Sequence, residues 1–203
     1  MAEVSSVQLH FGEEAPLVGH GGSGTIFFTH CNLACTFCQN HEISHGGQGR
    51  PMSPEQLARA MVELQEAGAH NVNLVSPSHV VPQILEALLF AAEAGLRIPL
   101  VYNSGGYDAL SALRLLDGVV DIYMPDAKYG DTDVGERYSG VPSYPAVNRA
   151  AIREMHRQVG DLHVDEQGIV LRGLLVRHLV LPGGLAGTRS VMRFLAQAVS
   201  RHT

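Results

Sequence analysis

From residue 25 onward, short apolar runs alternate with amphipathic helical patterns, and this alternation is the strongest constraint on what the chain can fold into. Residues 25–29 are β-branched and aromatic, as a strand favours. Further strands are expected over 71–75, 99–102, 119–124 and 174–181. The first helix begins at Ser53, which forms a capping-box pattern with Gln56 and places Pro54 at the first helical position. Leu57, Ala60, Met61, Leu64 and Ala67 then recur at helical spacing, and Gly68 stands where a C-terminal cap belongs. Helices are expected over 81–93, 108–116, 147–158 and 188–199, with a Gly- and Pro-rich loop over 130–145 and a hairpin over 164–171. Five strand–helix units in this order imply a parallel sheet with right-handed crossovers. An open flavodoxin-like sheet and a (β/α) barrel both fit the pattern. Residues 1–23 read as an irregular, polar N-terminal extension and 24–203 as one domain.

Composition narrows the partners. The formal charge is −6, with no Trp and no basic stripe, so nucleic acid is not an expected partner. No apolar run is long enough to span a bilayer, which leaves a soluble cytoplasmic protein as the expectation and no membrane as a partner. Lys128 is the only lysine, all other Lys/Arg positions being arginine.

The three cysteines fall within eight residues, Cys31, Cys35 and Cys38, in the pattern C-x3-C-x2-C. An odd count with no signal peptide argues against a disulfide framework. Three thiolates at this spacing can serve one metal centre and leave a coordination position open, the arrangement of a catalytic rather than a structural site. Buried structural thiols and a Cys3His zinc site using His30, His41 or His45 are the competing readings. A cubane cluster normally takes four cysteines, so here its fourth iron would be free for another ligand.

With Phe37 ahead of the last cysteine, the motif resembles the C-x3-C-x-aromatic-C signature of the radical S-adenosylmethionine (SAM) superfamily. That resemblance implies a partial parallel (β/α) barrel, with five of the usual six units visible and the sixth apparently absent. It also implies a [4Fe-4S] cluster on Cys31, Cys35 and Cys38, with SAM chelating the fourth iron. Residues 11–44, with Asn73 to Pro77, Asp126 to Lys128 and Arg177 to Gly183, are similar to the subgroup of pyruvate formate-lyase activating enzymes. By that similarity Asn40, Ser76, Pro77, Ser78, Asn103, Ser104 and Arg177 are expected to bind cofactor, and Asp126 and Lys128 to act in catalysis. Ser76 to Ser78 stand where many relatives carry a glycine-rich motif. The implied activity is reductive cleavage of SAM to a 5′-deoxyadenosyl radical that abstracts hydrogen, on a glycine of a partner protein in the activating enzymes. The implied partners are a protein substrate and an electron donor such as a flavodoxin or ferredoxin. A non-catalytic zinc- or iron–sulfur-binding module is the alternative, and barrel chemistry belongs at the C-terminal strand ends.

Overall fold

The computed structural model describes residues 1–203. Its strands are β1 (Ala2–His10), β2 (Ser23–Phe28), β3 (Arg50–Met52), β4 (Val72–Val75), β5 (Leu100–Ser104), β6 (Ile122–Pro125), β7 (His163–Val164) and β8 (Val170–Leu174). Its helices are α1 (Ala15–Val18), α2 (His41–Ser44), α3 (Pro54–Glu66), α4 (Val81–Glu93), α5 (Leu110–Leu115), α6 (Thr132–Ser139), α7 (Tyr144–Val159) and α8 (Thr188–Ala198). All strands join one sheet in the order β3-β1-β2-β4-β5-β6-β8-β7, with β2, β4, β5, β6 and β8 parallel. The sheet is not closed: β3 and β7 remain as edges, the geometry of a partial barrel.

Local chemistry accounts for the best-defined elements. Ser53 accepts from the Gln56 amide at 3.3 Å and Gln56 Oε1 accepts from the Ser53 amide at 2.9 Å, the reciprocal box expected from sequence. Leu57, Ala60, Met61 and Leu64 of α3 bury against Ile26, Val72 and Leu74 on the outer face of the sheet. A second apolar layer joins α5, α7 and α8 to Tyr102, Tyr123 and Leu174. Inside the curve of the sheet, Leu17 of α1 packs on Val101, Ile122, Met124 and Val170 near the N-terminal strand ends. Its carbonyl accepts from Asn71 Nδ2 at 2.8 Å, so α1 closes the floor of the barrel.

Three expectations are corrected. Residues 1–23 are not irregular: β1 pairs antiparallel with both β2 and β3, and Ala2 and Val4 are core residues. The stretch over 130–145 is not all loop, because it holds α6, capped by Asp131 Oδ1 on the Asp133 and Val134 amides at 2.9 and 3.1 Å. The fifth parallel strand lies earlier than 174–181. It is the second arm of the expected hairpin: Gly173 and Leu174 pair with Ile122 and Tyr123, and an isolated bridge joins Asp126 to Arg177.

Candidate active site

The C-terminal ends of the parallel strands open onto a cavity of about 620 Å³. Cys31, Cys35 and Cys38 line it, together with Asn40, Ser76, Asn103, Ser104, Asp126, Lys128 and Arg177. Residues from five segments expected to form one site therefore do meet at one rim. Pro77 and Ser78 do not reach it. Ser78 Oγ instead donates to Asp108 Oδ1 at 2.6 Å, behind the rim.

The cysteine loop leaves β2 and crosses the cavity mouth. All three thiols are free, and each has a hydrogen-bonding neighbour: the Leu33 amide at 3.5 Å from Cys31 Sγ, Ser139 Oγ at 2.9 Å from Cys35 Sγ and Ser44 Oγ at 3.3 Å from Cys38 Sγ. Burial pushes the Cys31 thiol above its usual range, and the neighbouring Cys35 and Cys38 push it further. No three His, Cys, Asp or Glu side chains converge where a single metal ion could sit. His30 instead pairs with Glu3 at 3.0 Å, and His41 stacks on His45. The zinc arrangement drawn from the sequence is thus not formed. All three thiols line one cavity, as cysteine ligands of a single iron–sulfur cluster must.

A charge cluster lines the same cavity. Lys128 Nζ pairs with Asp126 Oδ2 at 2.6 Å, and Arg177 Nε with Asp126 Oδ1 at 3.0 Å. Arg177 also donates to Asn103 Oδ1 at 2.8 Å. Burial works to lower the Lys128 pKa, but the carboxylate of Asp126 and the nearby Cys35 outweigh it, and the ammonium stays charged. Lys128 Nζ lies 6.0 Å from the centre of the Phe37 ring, which ties the charge cluster to the aromatic of the cysteine motif. Ser76 has φ +59, a left-handed conformation that glycine adopts freely and other residues seldom do. The side chain of Asn40 makes no hydrogen bond; its carbonyl starts α2 by accepting from the Ile43 and Ser44 amides at 3.1 and 2.8 Å.

Residues not anticipated from the sequence hold this rim in place. Asp108 is 3% exposed and accepts from the hydroxyls of Ser78, Tyr102 and Ser104 at 2.6, 2.9 and 2.7 Å. Burial raises its pKa against the three donors, which satisfy the carboxylate and fix Ser104 beside the cavity. From α7, Tyr144 Oη shares its one proton between the Gly105 and Asp126 carbonyls, 2.8 and 3.0 Å away, and Asn148 Nδ2 donates to the Gly106 and Asp126 carbonyls at 2.9 and 2.8 Å. His178 Nδ1 donates to the Ala127 carbonyl at 2.6 Å. Asp108 follows the third expected strand, whereas Tyr144 and Asn148 lie on α7 and carried no such sequence signal.

The family comparison converges on the same segment. A model of the radical SAM superfamily matches residues 25–164, which include the cysteine loop and four of the parallel strands' rims. The chain belongs to the radical SAM superfamily. It is 33% identical over 197 residues to an uncharacterized protein of Methanocaldococcus jannaschii, a match covering 93% of this chain and 53% of that protein. This radical SAM chain thus spans about half the length of that relative. No helix is long and apolar enough to cross a membrane.

The N-terminal segment brings two further carboxylates to the radical SAM cavity. Glu13 and Glu14 approach Arg177 Nη1 at 3.8 and 3.6 Å. Burial, only partly offset by Arg177, raises Glu13 from 4.5 to about 7. The unfolded chain ionises this group near 4.5, so the stability it adds is full below that pH and is lost as pH rises through 7. Glu13→Gln is expected to flatten this dependence. Relative to the variant, wild type should lose up to about 3 kcal/mol between pH 4.5 and 8, measured by urea unfolding at each pH.

Proposed function

We propose that this chain is a radical SAM enzyme of the activating-enzyme type, in which Cys31, Cys35 and Cys38 hold a [4Fe-4S] cluster and SAM binds between it and the strand ends. The observation that carries this reading is that three free cysteines and the Asp126–Lys128–Arg177 cluster line one cavity. When bound, the cluster and SAM together supply a 5′-deoxyadenosyl radical able to take hydrogen from an unactivated C–H bond. The protein's own part is positioning and exclusion. Arg177 and Lys128 present donors to the SAM carboxylate and ribose, while Ser76, Asn103 and Ser104 present polar groups along the strand ends. Asp126 holds both cations in place, and Phe37, Val75 and Leu33 keep the cavity wall apolar.

A protein glycine as hydrogen donor, with a flavodoxin- or ferredoxin-type electron donor, completes the proposal. Support for a macromolecular donor comes from the open sheet and from an apolar lip beside the cavity, where Leu179 and Val180 are 56% and 68% exposed. Anaerobic reconstitution with iron and sulfide tests the enzyme. The expected result is brown protein that forms 5′-deoxyadenosine from SAM when reduced with dithionite. Colourless protein that retains zinc and leaves SAM intact would favour the non-catalytic module instead.

A further inference from the structure

We propose that Tyr129 and Ser139 form a hydrogen-bond relay onto Cys35 that raises the reduction potential of the metal centre held by the three cysteines. The relay rests on the cluster reading above, and it concerns two residues outside the cysteine motif. Ser139 Oγ lies 2.9 Å from Cys35 Sγ and 2.8 Å from Tyr129 Oη. Ser139 is 0% exposed, Tyr129 1% and Cys35 7%, so the contacts lie in the protein interior behind the cavity wall that Cys35 helps form.

The direction of the relay follows from proton counting. A metal-bound thiolate carries no proton and can only accept, so Ser139 must donate to Cys35. A serine hydroxyl has one proton, so its oxygen is left to accept from the Tyr129 phenol, which keeps its proton at neutral pH. The two bonds point the same way and polarise each other, an effect that is larger where water is absent. A donor on a cluster thiolate draws electron density from the sulfur and favours the reduced, more negative centre.

Cys35 is singled out among the three ligands. Cys31 receives a long backbone contact at 3.5 Å, and Cys38 faces Ser44 at 3.3 Å, with both cysteines more open to solvent. Ser139 is also held in position by more than its side chain. The Ala34 amide donates to the Ser139 carbonyl and the Thr36 amide to the Tyr138 carbonyl, both at 2.9 Å. Gly140, at φ +69, then turns the chain away as the left-handed cap of α6. The end of α6 thereby carries the hydroxyl to Cys35 with little freedom to move.

The test is a redox titration of reconstituted protein followed by the electron paramagnetic resonance of the reduced cluster, beside iron and sulfide analysis. Ser139→Ala should keep the cluster and move its midpoint to more negative potential. Tyr129→Phe should move it the same way by less, because Ser139 still donates without its own donor. The double variant should match Ser139→Ala, since Tyr129 acts only through Ser139. Loaded variants with the wild-type midpoint would overturn the relay while leaving the cluster intact. If Ser139→Ala takes up no iron, Tyr129→Phe decides alone: a negative shift supports the relay and an unshifted midpoint overturns it. Wild-type protein that takes up no iron would sink the cluster reading itself and the relay with it.

Discussion

Replacing Cys31, Cys35 or Cys38 by alanine is expected to abolish SAM cleavage and to leave reconstituted protein without its cluster. The chain has no further cysteine to substitute, so each loss leaves two thiolates for a centre that needs three. The fold should survive the change. Cys31 and Cys38 are only partly buried, and their side chains make two and one long contacts, of 3.3–3.9 Å, whose loss costs at most about 1 kcal/mol each. Circular dichroism and size-exclusion should therefore match wild type while iron content and 5′-deoxyadenosine fall to background. Any single alanine variant with wild-type iron and turnover would remove that cysteine from the proposed site.

Arg177→Leu should produce the largest loss of stability from a side chain in the cavity. The guanidinium lies among three carboxylates, Asp126, Glu13 and Glu14, and also anchors Asn103. Removing the cation leaves Asp126 and Glu14 without their shared partner and pushes Glu13, already raised to about 7, further toward its protonated form. Breaking a buried pair in this way typically costs about 3–5 kcal/mol, and the 30% exposure of Arg177 places it near the lower end. SAM affinity should fall with it, since Asp126 and Asn103 both lose their orientation. Arg177→Lys keeps the charge but has no fork to span Asp126 and Asn103 together, so it should fall between the two. Urea unfolding and SAM titration by calorimetry separate the effects; a stable Arg177→Leu protein with wild-type SAM affinity would show that the guanidinium is a surface feature.

The parallel core was readable because its chemistry is local. The capping box at Ser53 and the apolar spacing of α3 needed nothing beyond neighbouring residues. β1 was hidden because a register shift between Val4 and Ser6 breaks the two-residue alternation that marks a strand. α6 was hidden by its composition: Gly135 disfavours a helix, yet only a residue without a side chain fits there, since a Cβ would lie 2.8 Å from the Tyr144 Cβ. Asp131 and Gly140 did carry the cap signals of that helix. The strand expected over 174–181 was misplaced because apolar residues continue past the ladder, as His178 bends away to Ala127 and Thr188. At the site, chain order put the cysteines, Ser76, Asn103 and Asp126 after successive strands, while the roles of Asp126, Lys128 and Arg177 came from the resemblance. The burial of Asp108, Tyr129 and Ser139 was not legible, because it depends on contacts between segments far apart in sequence.

The stapling of the cysteine loop to the end of α6 also sets an order of events during synthesis. Cys35 and Ser139 are 104 residues apart, and the two backbone bonds that shape the loop come from Ser139 and Tyr138. At roughly 5–20 residues per second, the cysteines leave the ribosome on the order of 5–20 s before the segment that gives them their geometry. During that interval the thiols belong to an unshaped loop with no dry wall behind them. The geometry in which the three thiols line one cavity is therefore available only after α6 has docked, late in synthesis.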